Sequence, residues 1–227
     1  MSITYSDMHS GKSRLKKVLL FCGVLSSVFY VATDILVSLQ YQGYSIIDQN
    51  YSELLATGAP TRPIMLLISV IYNLLVGAFA VGIWSLESPK RIARITGIMI
   101  AVYAILSMVT PLFFQMDMRG AEMTPRGSLH PLMTVVMSLF IVLSIGFGAF
   151  LLQKRFRLYS FATIVVLLVF GILTSLQVPL LETGRPTPLM GFTERINIYA
   201  TMLWFALLPI ALLKVEKREY LIKTENT

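Results

Sequence analysis

The chain has a single cysteine, Cys22. That excludes an internal disulfide and any multi-cysteine metal site. Cys22 sits inside an apolar run and reads as a small buried hydrophobe. Histidine is nearly as scarce: there are two, and only His130 lies outside the N-terminal tail. A zinc site needs three or four N, S or O ligands, so no metal and no cofactor is expected. Charge is scarce too. Charged residues make up 14% of the 227, against about 25% in an ordinary soluble domain. GxSxG, HExxH, P-loop and GxGxxG patterns are all missing, which leaves no catalytic signature of those kinds.

What the chain does have is apolar length. It is 56% hydrophobic, with a mean hydropathy of +0.72. Apolar blocks recur near residues 18–39, 63–86, 95–114, 129–152, 160–181 and 196–215. Crossing the hydrocarbon core takes about 20 apolar residues in a helix. The expected fold is therefore all-α: a polytopic six-transmembrane-helix bundle at 18–215, between a basic tail at 1–17 and a second tail at 216–227. The first block resembles a signal peptide in polarity. It is too long for one and lacks a small-x-small cleavage pattern, so it is read as a retained helix. Pro63 and Pro131 suit helix starts. Pro111, Pro179 and Pro209 should kink or end their helices.

Lysine and arginine are unevenly placed. Fourteen fall in the two tails and the loops near 90 and 155, and five fall in the other three loops. Basic residues concentrate on the cytoplasmic side, so both termini are expected in the cytoplasm. This distribution, with no separate soluble domain, also argues against nucleic acid as a partner. Membrane lipids are the expected surroundings, and the basic residues would touch anionic headgroups.

The three loops on the other side are long and mix both charge signs. Long connections in a compact chain tend to carry function or to be disordered. The richest is Phe113–Thr134, with Asp117, Arg119, Glu122, Arg126 and His130. Two further groups stand near this surface. Asp34 is the ionisable residue set well inside an apolar block, about 8 Å from the helix end at roughly 1.5 Å per residue. It is either a ligand contact or charge partner, or a shallow carboxylate reached by water. Glu194 and Arg195 open the last block, and an arginine at a helix start opposes the macrodipole. Something must hold it, and Asp34, Asp117 or an anionic headgroup would serve. Asn73, Gly77, Gly82, Gly146 and Gly148 read as helix-packing residues. Trp84 and Trp204 read as packing or interface anchors.

The segments FFQMDMRG and TPRGSLHPL, together with MGFTERINIYATMLW, resemble those of a bacterial six-helix membrane family catalogued as domain of unknown function 998. The matching positions are Asp117 in the turn after the third helix, His130 at the start of the fourth, and Arg195 and Trp204 in the last. Gln115 departs from the pattern, where a proline is common. The resemblance spans nearly the whole chain and implies a multi-pass protein of the bacterial cytoplasmic membrane. It implies no settled activity.

Two functions are expected in competition. In the first, Asp34, Asp117, Arg126, His130, Glu194 and Arg195 line an outward-facing pocket. That pocket binds a lipid headgroup or a small polar or anionic ligand, with an arginine fork on the anion. In the second, the protein is a lipid-modifying enzyme. His130 would be the general base, Asp117 would orient it, and Arg195 would stabilise developing negative charge. A transporter is less expected, because no polar path continues through the cytoplasmic halves of the helices.

Overall fold

The computed structural model describes the backbone of residues 5–225 and the side chains of residues 13–216. The chain forms α1 (Tyr5–Gln40), α2 (Arg62–Trp84), α3 (Lys90–Phe113), α4 (His130–Gly148), α5 (Lys154–Ser175), the short α6 (Val178–Glu182) and α7 (Met190–Glu225). Among the described residues, six helices are long and apolar enough to cross a membrane. A helix satisfies its own backbone polar groups, and hydrocarbon offers them no other partner. That is why each apolar block becomes one.

The helices overrun the apolar blocks at their polar ends. α1 starts at Tyr5, α3 at Lys90, and α7 continues to Glu225. Hydropathy marks the part of a helix that lies in lipid, and the basic turns beyond it stay helical. Much of the two expected tails is thus helix. Residues 1–4, 226 and 227, and the side chains of Lys12, Lys217, Arg218 and Lys223, lie outside the described residues. Pro179 begins α6 after a break at Leu176–Gln177, while Pro111 and Pro209 are carried inside α3 and α7.

Consecutive helices pack side by side from α1 to α5, and α7 closes the ring against both α1 and α5. Lys16 Nζ lies 2.6 Å from Glu216 Oε1, so both termini leave from one end of the bundle. We call that the basic end. The opposite end carries the three long loops and is called the cap.

The core is aromatic. Tyr72, Phe79, Trp204 and Phe205 are fully buried at its centre. Tyr30 meets Tyr51 face to face and Tyr72 edge-on, both at 4.9 Å between centroids. The Tyr72 and Tyr103 hydroxyls are 3.0 Å apart. The buried Trp204 indole N–H donates to the Ser160 hydroxyl at 3.0 Å, which gives its one polar atom a partner. Gly82 lets α2 meet α1 closely: a Cβ there would lie 2.9 Å from the Leu20 backbone nitrogen. Gly77 faces open space instead, so the packing role expected of it falls to Gly82 and Gly148. Trp84 is half exposed at the basic end, as suits an interfacial anchor.

Candidate functional site

The charged residues of the cap fall into separate assemblies. The deepest joins α1 to α7. Arg195 Nε donates to Asp34 Oδ2 at 3.0 Å, and its Nη2 donates to Oδ1 at 2.9 Å. Asp34 is fully buried and Arg195 is 5% exposed. Such a pair survives burial only if its remaining donors and acceptors are also met. They are. Tyr199 and Ser38 donate to the carboxylate at 2.7 and 3.3 Å. Arg195 Nη1 donates to the Ile46 and Gln49 carbonyls at 2.9 and 3.1 Å. Nη2 also reaches the Tyr44 hydroxyl at 2.9 Å, which in turn donates to the Asn50 carbonyl at 2.8 Å. Burial pushes the Tyr44 hydroxyl well above the ordinary tyrosine range, with Arg195 opposing the shift. It therefore stays a donor.

Gly191 makes this approach possible. A Cβ there would run into the Gln49 carbonyl oxygen and lie 2.6 Å from that of Ile46. The loop after α1 thus lies directly on the first turn of α7.

The second assembly centres on Glu53, which is buried. Arg119 grips it with two bonds, Nε to Oε2 at 3.1 Å and Nη2 to Oε1 at 2.8 Å. Gln49 donates to Oε2 at 3.0 Å. Asn50 and Glu53 form a capping box on the 3₁₀ turn Tyr51–Leu55, each side chain meeting the other's backbone N–H. Arg119 Nη1 also donates to the Arg185 carbonyl at 3.2 Å. Arg119, held by Glu53, therefore ties all three cap loops together.

Beside it lies an open groove of about 470 Å³, lined by Ser45, Asp48, Gln49, Arg119 and the Pro186–Pro188 segment. Its walls are already held. Asp48 accepts from the Ser45 hydroxyl at 3.0 Å and from Leu189 N–H at 3.1 Å. Thr187 donates to the Asp48 carbonyl at 2.8 Å.

The residues expected to share one pocket are distributed as follows. Asp34 and Arg195 are joined. Glu194, next to them on α7, turns away and accepts from Tyr51 N–H. Asp117 is half-buried and accepts from Thr124, from its N–H at 2.7 Å and its hydroxyl at 3.0 Å. Asp117 thereby folds its own loop back on itself. His130 places Nδ1 2.8 Å from the Phe114 carbonyl, which anchors the start of α4 to the end of α3. Among the described residues, no hydrogen bond joins Asp117 to His130, or either of them to Asp34 or Arg195. Arg126 is exposed and makes no side-chain hydrogen bond among the described residues.

Among the described residues these six groups are not joined in one hydrogen-bond network. Glu194, Asp117 and His130 each meet a backbone group nearer to them. Sequence reasoning also missed Tyr44, Tyr199 and the Glu53–Arg119 pair. The one signal for the last is the Asn50-x-x-Glu53 spacing of a capping box.

Neither curated proteins nor solved structures yield a match to this chain. A family model does, over residues 24–211, which reaches into all six spanning helices and takes in every assembly just described. The chain belongs to the family described as "Protein of unknown function (DUF998)".

Proposed function

We propose that this protein is a non-enzymatic membrane protein that binds a small polar ligand, or a polar lipid headgroup, in the cap groove. The observation behind this reading is the contrast between two neighbouring places. The Asp34–Arg195 centre is closed and fully paired, so it serves to hold the cap. The groove next to it is open, and its polar walls are fixed in advance. Preorganised walls reduce what binding must spend on ordering, and the volume suits small ligands. Within the groove, Glu53 neutralises Arg119, which leaves the Asp48 carboxylate as the uncompensated charge. The favoured ligand chemistry is accordingly a small group offering an ammonium or several hydroxyls.

The basic end faces the cytoplasm in this reading, because lysine and arginine concentrate there. The groove then opens on the far side of the cytoplasmic membrane. The acid–base reading draws no support from Asp117, whose carboxylate is occupied by Thr124 rather than oriented on His130.

The test is thermal unfolding of the purified protein with ethanolamine, glycerol, glycine betaine or glycerol 3-phosphate, and in nanodiscs with and without phosphatidylethanolamine. The free compounds and the nanodiscs separate a soluble ligand from a headgroup. An ammonium or polyol probe should raise the unfolding temperature of the wild type. It should not raise that of Pro188→Trp, which fills the groove, and Asp48→Asn should weaken the ammonium response. Equal responses in wild type and Pro188→Trp, or none in either, would overturn the reading.

A further inference from the structure

The ring of helices is tight everywhere except between α4 and α5. The buried residues of α4 are Ser144, Ile145 and Gly148, and those of α5 are Ser160 and Thr163. All five lie in the basic half. The contacts across this seam lie there as well: Gly146 beside Ile164, and, in the turn just past the end of α4, Phe150 edge-on to Phe161 at 6.2 Å.

Towards the cap, each helix is fastened to its other neighbour instead. α4 is held to α3 by His130 on the Phe114 carbonyl, and by Met137 sulfur near the Thr110 hydroxyl at 3.8 Å. α5 is held to α7 by Thr174 and Thr193 at 2.9 Å. It is held again by the Asn197 amide, which in its satisfied orientation meets Leu167 O and Gly171 N at 3.1 and 2.8 Å.

Helical spacing shows what this does to the seam. Residues three or four apart share a face. Counting from Gly146 towards the cap, the stripe of α4 facing α5 runs through Leu139 to Leu132. Counting from Ile164, the stripe of α5 facing α4 runs through Leu168 to Ile172. A closed seam would bury both stripes. Instead Leu139, Leu132, Leu168 and Ile172 are 54–61% exposed. These exposures are what two helices diverging towards the cap would give. The gap is floored by side chains such as Met137, Ile141 and Leu167, which pack on the core.

We propose that this open seam receives an acyl chain of a phospholipid from the cap-side leaflet, with its phosphate at Arg126. Three observations select that occupant. The walls are mainly aliphatic, the Thr134 and Ser138 hydroxyls being turned back onto helix carbonyls, and lie within membrane-spanning helices. The seam runs along residues 130–143, about 20 Å at roughly 1.5 Å per residue, which accommodates one leaflet of a core about 30 Å thick. The exposed stripes also carry bulky leucine and isoleucine rather than the small residues by which membrane helices approach one another, which disfavours a second copy of the chain. At the mouth, just before α4, Arg126 is exposed and free of partners among the described residues, and a guanidinium suits phosphate. This site is separate from the cap groove and does not depend on it.

The test uses nanodiscs containing phosphatidylglycerol with a diazirine midway along one acyl chain. After irradiation, adducts are mapped by mass spectrometry. Labelling of 130–143 and 164–176 should exceed severalfold that of the equally exposed lipid face of α2, at Leu67, Leu74 and Val81. The double variant Leu139→Trp/Leu168→Trp, which fills the seam, should lose that excess while α2 labelling stays the same. Arg126→Gln should lower seam labelling by the phospholipid severalfold and leave labelling by a diazirine diacylglycerol unchanged. Even labelling of all lipid-facing helices, an excess that survives the double tryptophan variant, or phospholipid labelling unaffected by Arg126→Gln would each overturn the proposal.

Discussion

Arg195 and Asp34 stand 161 positions apart in the chain and face each other with two hydrogen bonds of 3.0 and 2.9 Å. The pair is sealed from solvent and carries α1, α7 and the loop at 41–50 in one network. Removing one member leaves a buried charge alone, which typically costs 3–5 kcal/mol. Asp34→Ala should destabilise the protein by about 3 kcal/mol or more. Asp34→Ala/Arg195→Met should recover much of the loss. Thermal unfolding of the three proteins in one detergent checks this, and a neutral Asp34→Ala would contradict the role assigned to the pair.

Glu53 and Arg119 should couple more weakly, because Arg119 is about one-fifth exposed and water screens the interaction. A double-mutant cycle with Glu53→Gln and Arg119→Met should return about 1 kcal/mol of interaction. The more telling readout is protease sensitivity. Arg119 joins the three cap loops, so Arg119→Met should open cleavage sites in residues 114–129 and 176–189 as well as in 41–61, and Glu53→Gln chiefly in 41–61 and 114–129.

Asp117 and His130 are predicted to act independently. Asp117→Ala releases Thr124, and His130→Ala releases the Phe114 carbonyl. The Asp117 charge reaches His130 through space, but the two share no hydrogen-bond partner, so the double variant should depart from the sum of the single losses by no more than about 0.5 kcal/mol. A coupling clearly above that range would show that the two side chains work as a unit, which is what an acid–base mechanism needs.

Gly148 lies under the buried indole of Trp204, and a Cβ there would come within 2.6 Å of the ring. Overpacking of this kind costs about 1–3 kcal/mol. Gly148→Ala should lower the unfolding temperature, and Trp204→Phe, with its smaller ring, should restore part of the loss in the double variant. Independent, additive losses would show that the ring is not the obstacle.

The six spans are legible in the residues because a bilayer leaves the backbone few choices. Arg195 is legible in part: an arginine on the first turn of an apolar helix needs a counter-charge, and Asp34 is among the candidates the residues offer. Asp117 and His130 are not legible. Their closeness in the chain suggests a pair, but which way each side chain turns depends on the nearest unmet backbone group, Thr124 N–H for one and the Phe114 carbonyl for the other. Glu53 is harder still. It reads as a loop acid until the three loops fold over it and bring Arg119 from 66 positions away.

The distance in sequence between Asp34 and Arg195 has a consequence for biogenesis. α1 is synthesised well before α7, so the carboxylate enters the bilayer long before its counter-ion exists. A nascent chain stays incomplete at its most demanding point until α7 has been made. Chains truncated before α7 should be cleared by membrane proteases, and co-expressing the missing helix as a separate polypeptide should rescue them.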